Sequence, residues 1–129
     1  MRVQHDSRRI ERRFAQRDRT APRVARALAA GLDGIPDGVR YDLALVVSEL
    51  VANAIRHAPT IDSGEVRLLI VTRDGHIHVE VRDPGRGFDP SPDPVRDGGL
   101  GLVTVSRLAR EWGIEGGDGT TVWCDLEAS

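Results

Sequence analysis

Four short polar features stand where a packed core would need none, and each has the chemistry of a ligand site. In Ser48–His57, SELVANAIRH, Glu49 and Asn53 lie four residues apart within a segment that is apolar almost all the way round. At 100° per residue they share a stripe about 60° wide with Asp42 and Arg56, beside a broad apolar arc that includes Leu43, Val46, Val47, Leu50, Val51 and Ala54. So narrow a stripe is either half-exposed, with Arg56 paired to Glu49 or Asp42, or turned toward something bound. Further on, in HIHVEVRD, Ile77, Val79 and Val81 alternate onto one face, and the same alternation carries Asp83 with them. A buried carboxylate is costly unless it is paired or hydrogen-bonded. Either the strand stops at Arg82 and Asp83 caps a turn with Pro84 and Gly85, or the carboxylate faces a partner. The sequence continues as DPGRGF, and glycines at 85 and 87 would let backbone approach a flat ligand or let a lid hinge. Finally, GGLGL, Gly98–Leu102, opens a helix, where free amides and absent side chains make an anion site.

Other chemistries find less support. His76 and His78 share one strand face, as in a two-histidine metal site, but no third ligand completes the set. His57 near a helix end suits an acid–base group and equally an ordinary dipole partner. No G-x-S-x-G or H-E-x-x-H motif is present. All 18 Lys or Arg positions are arginine, which excludes a P-loop lysine and a Schiff base.

The elements that must position these residues are legible in outline. Arg8–Ala15 carries a weak strand signal, with Ile10, Arg12 and Phe14 on one face. Thr20 reads as the N-cap of a helix with proline in its first turn, ending near Gly31 or Gly34. A second helix is expected from about Pro36–Val39 to Ala58, stopped by Pro59. EVRLLIVTR and HIHVEVR flank Asp74–Gly75, the dipeptide of a type I′ hairpin. Residues 84–99 read as a long loop, rich in proline, glycine and aspartate, of the kind that forms lids. LGLVTVSRLARE is a short helix, and the strands WGIE and TVWCDLE surround the turn GGDG. The expected architecture is α+β: a two-layer α/β sandwich, an antiparallel or mixed sheet with helices on one face.

The chain of 129 residues is long enough for one domain, with residues 1–7 expected to be disordered. Hydrophobic residues make up 40% and charged residues 29%, as in soluble domains, and no run is long enough to span a bilayer. A net charge of -2 and a pI near 6.1 argue against broad nucleic-acid binding, although nine arginines crowd between Arg2 and Arg26. One cysteine, Cys124, allows no internal disulfide, and no signal peptide is visible. A cytoplasmic protein is expected.

In this order, ELVANAIRHA, DPGRGF, GGLGLV and GTTVW resemble the N box, the D-x-G-x-G box, the second glycine box and the G-T motif of the GHKL superfamily of ATP-binding domains. Each box alone is permissive; the ordered set, from about Tyr41 to Glu127, is specific. The short strand and helix ahead of the N box make the chain most similar to the stand-alone anti-sigma factor serine kinases common in actinobacteria. The resemblance implies that Asn53 coordinates Mg2+ bridging the phosphates of ATP and that Glu49 is the general base. It implies that Asp83 accepts a hydrogen bond from the adenine amino group, with Thr120 beside it. Gly85 and Gly87 would lie against the base and at the start of the lid, while Gly99, Leu100 and Gly101 would hold phosphates, with Arg56 and Arg96 as additional contacts. The implied activity is phosphorylation of a STAS-domain anti-sigma factor antagonist by a homodimer that also binds a sigma factor. The alternative is an ATP-binding interaction module without phosphotransfer.

Overall fold

The computed structural model describes residues 7–57, 64–84 and 100–127, and at positions 57, 100 and 101 the backbone alone. The elements run β1 (Arg8–Ala15), α1 (Ala21–Ala30), α2 (Asp37–His57), β2 (Glu65–Arg73), β3 (His76–Asp83), α3 (Leu100–Leu108), β4 (Glu111–Glu115) and β5 (Thr120–Glu127). The five strands form one sheet in the order β1-β2-β3-β5-β4, antiparallel at every pairing. This is the α+β sandwich expected from the sequence.

Alternation decides which sheet face is covered. Val66, Leu68 and Ile70 of β2, Ile77, Val79 and Val81 of β3, and Cys124 and Leu126 of β5 are all buried on one side. Against them lie Leu43, Val46, Val47, Leu50 and Val51 of α2 and Leu102 and Val105 of α3. Helix α1 contributes Ala21, Ala25 and Ala29, each fully buried. Alanines every four residues line one ridge of the helix, so its backbone packs close against α2. Asp74 and Gly75 have φ of 48° and 81°, the left-handed pair that a type I′ turn requires. The β2–β3 register follows from it, with Ile70 opposite Val79 and Leu68 opposite Val81.

Thr20 holds the N-cap position of α1 with proline in the first turn, as expected, but two side-chain details differ. Thr20 does not cap α1 with its side chain; its hydroxyl donates to Asp18 Oδ1 at 2.5 Å, and its amide donates to the same oxygen at 2.9 Å. The acid two residues earlier is the stronger acceptor, so it takes the local turn and leaves threonine as a donor. Arg56 pairs with neither Glu49 nor Asp42. Its Nη2 donates to Asn53 Oδ1 at 2.6 Å, an i,i+3 contact along α2.

Candidate functional site

The strand β3 does not stop at Arg82. Its alternation continues, and Asp83 is 8% exposed on the helix-facing side. Across the ladder Asp83 stands directly opposite Thr120, the first residue of β5, which is 4% exposed. The register thus sets a carboxylate and a hydroxyl side by side at the end of an otherwise apolar sheet face. Gly119 makes that approach feasible. At φ +104° it sits so close to β3 that a Cβ would lie 2.4 Å from the Asp83 carbonyl oxygen. A side chain there would separate the two strand ends.

Helix α2 brings the third buried polar group. Asn53 is 6% exposed, flanked on its own helix by Leu50 and Ala54. Asn53, Asp83 and Thr120 line one narrow cleft, whose remaining walls are Leu50, Ala54, Val81, Leu102 and Val122. This lining has the make-up of a small-molecule site, apolar walls with a few converging polar groups. Among the described residues the cleft has a free volume of about 10 Å3. That is room for about one water. Glu49, one turn before Asn53, is half-buried beside it. The Asn53 amide oxygen, a hard donor, accepts from the Arg56 guanidinium and retains a second lone pair. Among the described residues no cluster of three or more His, Cys, Asp or Glu side chains could hold a metal ion. Mg2+ takes oxygen ligands and usually keeps several waters, so a single amide oxygen such as Asn53 Oδ1 suits it as one protein ligand.

The sequence-derived residues divide accordingly. Asn53, Asp83 and Thr120 converge on the cleft. Glu49 is adjacent on α2, and Leu100 and Gly101 form the first turn of α3. Gly85, Gly87, Arg96, Gly99 and, apart from Pro84, the expected lid over residues 84–99 lie outside the described residues, as do residues 1–6. The apolar walls were not anticipated as site residues. A signal for them existed: Val81 precedes Asp83 by two and Val122 follows Thr120 by two, so strand period alone puts them on the same face.

The two histidines do not form a metal pair. His78 lies on the outer sheet face, stacked on Trp123 with ring centroids 6.1 Å apart, and it presents Nδ1 to Asp125 Oδ1 at 2.5 Å and Nε2 to Glu80 Oε2 at 2.8 Å. Burial opposes its charge, but the bonds to Asp125 and then Glu80 outweigh that effect, and its pKa is raised. Burial, with Asp125 adding to it, pushes the Cys124 thiol up to about 12.

Comparisons with known proteins agree with the geometry. The sequence signature of the histidine kinase-like ATPase domain matches residues 14–125, well over half the chain. The serine-protein kinase RsbW of Bacillus licheniformis is 33% identical over 112 residues, covering 70% of this chain and 70% of that protein. RsbW of Bacillus subtilis (strain 168) is also 33% identical, over 96 residues, with 63% of this chain and 60% of that protein covered. The blue-light-activated histidine kinase 2 of Erythrobacter litoralis (strain HTCC2594) is 36% identical over 94 residues, 67% of this chain but only 27% of that longer protein.

Proposed function

The chain belongs to the histidine kinase-like ATPase domain family, and we propose that within it the protein is an ATP- and Mg2+-dependent serine/threonine kinase. The observation that carries this reading is the buried Asp83–Thr120 pair facing Asn53 across an apolar cleft, with a carboxylate one turn before the asparagine. Asp83 accepts a hydrogen bond from the exocyclic amino group of adenine, with Thr120 alongside, while Val81, Leu50 and Val122 grip the faces of the ring. A largely apolar slot makes a hydrogen bond to the acid selective, because a base lacking the donor cannot supply it.

Asn53 Oδ1 would hold Mg2+ on the phosphate side, and the first amides of α3 would supply donors there. Mg2+, when bound, neutralises charge on the transferring phosphoryl group. Glu49 accepts the proton of the attacking hydroxyl, and the remaining catalysis is positioning. The substrate is a serine or threonine of a STAS-domain anti-sigma factor antagonist. The kinase also binds a sigma factor, acts as a homodimer and works in the cytoplasm. The resemblance to RsbW serine-protein kinases supports this assignment. Among the described residues no helix is long and apolar enough to cross a membrane.

Calorimetry and phosphotransfer separate the two halves of the proposal. Asp83→Asn is expected to weaken ATP binding by about tenfold or more, the worth of a hydrogen bond to a charged group; unchanged affinity would remove the adenine assignment. Glu49→Ala should bind Mg-ATP as the parent does and lose phosphotransfer to a STAS protein by about 100-fold or more. The second reading is a module without phosphotransfer, in which the Asn53 oxygen keeps its hydrogen bond from the Arg56 guanidinium. Normal Mg-ATP binding by the parent with no transfer to any STAS partner would establish that second reading.

A further inference from the structure

The outer face of the sheet, opposite the proposed nucleotide cleft, carries a row of like charges that the proposed kinase chemistry does not use. Arg13 of β1 stands directly opposite Arg67 of β2, and Arg67 directly opposite Arg82 of β3. Each neighbours a core residue in sequence, so alternation turns all three to the uncovered side. Opposed residues on adjacent strands have Cβ atoms about 5 Å apart, and like charges so placed destabilise a sheet. The three arginine Cβ atoms therefore fall within about 10 Å on adjacent strands of one ladder.

The protein itself does little to neutralise them. Arg67 Nη1 lies 3.3 Å from Glu11 Oε2, a long contact between part-exposed groups. Arg82 Nη2 donates to the Asp118 carbonyl oxygen rather than to its carboxylate. Arg13 forms no hydrogen bond or ion pair among the described residues; the acids that line the cavity are Glu65 and Asp118, both exposed, and Asp83, which alternation turns to the helix-facing side. The three arginines line a single cavity of about 510 Å3, closed at one end by the Gly117–Gly119 turn.

We propose that this cavity is a binding site for a phosphoryl group, held by Arg13, Arg67 and Arg82 on the sheet face opposite the nucleotide cleft. Guanidiniums are planar forks of donors with no acceptor, and they match oxyanions in a bidentate manner. A tetrahedral dianion offers three oxygens to three forks and offsets most of their mutual repulsion. A carboxylate, with two oxygens and one charge, satisfies fewer of the same donors. The cavity is also larger than a lone tetrahedral anion needs and falls in the range of small-molecule sites. It thus accommodates the body that carries the group, either a small organic phosphate or a phosphorylated side chain. Asp83 borders both cavities, so the two sites share the end of β3 while facing opposite sides of the sheet.

The test is titration of the full chain at constant ionic strength with inorganic phosphate, with a short phosphoserine peptide and with the same peptide unphosphorylated. It is followed by calorimetry and by NMR of the arginine side-chain Nε–H groups. Saturable binding of phosphate or of the phosphopeptide is expected, with shifts at Arg13, Arg67 and Arg82; the tighter of the two identifies the source of the group. The double substitution Arg13→Gln with Arg82→Gln should weaken that binding by about tenfold or more. It should also leave the Tm unchanged or raised in phosphate-free buffer, because it relieves repulsion, and should reduce the Tm gain that phosphate gives the parent. Absence of saturation with both ligands, equal binding of the unphosphorylated peptide, or undiminished binding by the double variant would each overturn the site.

Discussion

His78 shows how much a single side chain on the open sheet face is tuned by its neighbours. Both ring nitrogens meet carboxylates, from Asp125 on the adjacent strand and Glu80 two residues on, so the ring serves both acceptors only when doubly protonated. Its pKa is raised in the folded chain despite the opposing effect of burial. A raised folded pKa contributes stability that is fully present below the unfolded value of about 6.5 and is lost as pH rises through the folded value. Comparing the parent with His78→Gln by urea unfolding should therefore show the larger destabilisation near pH 5.5 and a diminished one near pH 9. The ring is more than a third exposed, so solvent screening keeps the difference modest. A difference that is the same at both pH values would mean that packing on Trp123, and not the charge, is what His78 contributes. Cys124 is the opposite case at this scale: a thiol titrating at about 12 stays protonated and inert at neutral pH.

Among the elements, the junction of β3 and β5 matters most, because it sets Asp83 against Thr120. Gly119 holds that junction at a φ of +104° with no room for a Cβ. Gly119→Ala should cost about 1–3 kcal/mol of stability, from the backbone conformation and the clash with Asp83. Urea unfolding measures the first effect. ATP affinity measures the second, and it should fall with the strand ends forced apart; intact affinity would show that the Asp83–Thr120 spacing is not what the nucleotide reads. The sequence made this junction half legible. Period-two alternation carries through Val81 to Asp83 and from Thr120 to Val122, and strand-end acids are rare enough to stand out. The pairing of Asp83 with Thr120, however, depends on a register between strands separated by α3 and β4, which no local pattern encodes. The arginine row was hidden for the same reason. Arg67 and Arg82 face each other across a hairpin that the Asp74–Gly75 turn dictates, but Arg13 joins them only through the β1–β2 pairing, formed across two intervening helices. Local competition obscured two smaller features, the acceptor role of Asp18 beside Thr20 and the Arg56–Asn53 contact, where several partners lay within reach and side-chain geometry chose among them.

On the scale of the whole molecule, one core supports the whole sheet. The helix-covered side joins residues from all three helices with residues of β1, β2, β3 and β5 in a single cluster, so no part of the described chain has a core of its own. Leu68 lies at its centre, fully buried on β2 and paired with Val81 of β3. Leu68→Ala should cost about 2–5 kcal/mol, the transfer term for the lost methyl groups together with the cavity left behind. With one shared core, that loss should displace the entire unfolding transition. Trp112 and Trp123 report on the β4–β5 edge, and far-UV circular dichroism reports on the helices. Both probes should give the same urea midpoint, shifted equally by the substitution. Separate midpoints would mean that the β4–β5 edge unfolds independently of the α1–α2 layer. A single midpoint would also tie the narrow cleft beside Asp83 to the same packing. Opening it by moving α2 and α3 works against the same packing that holds the sheet. The binding free energy of a ligand on the Asp83 side must then offset that loss of contact before any net affinity is seen.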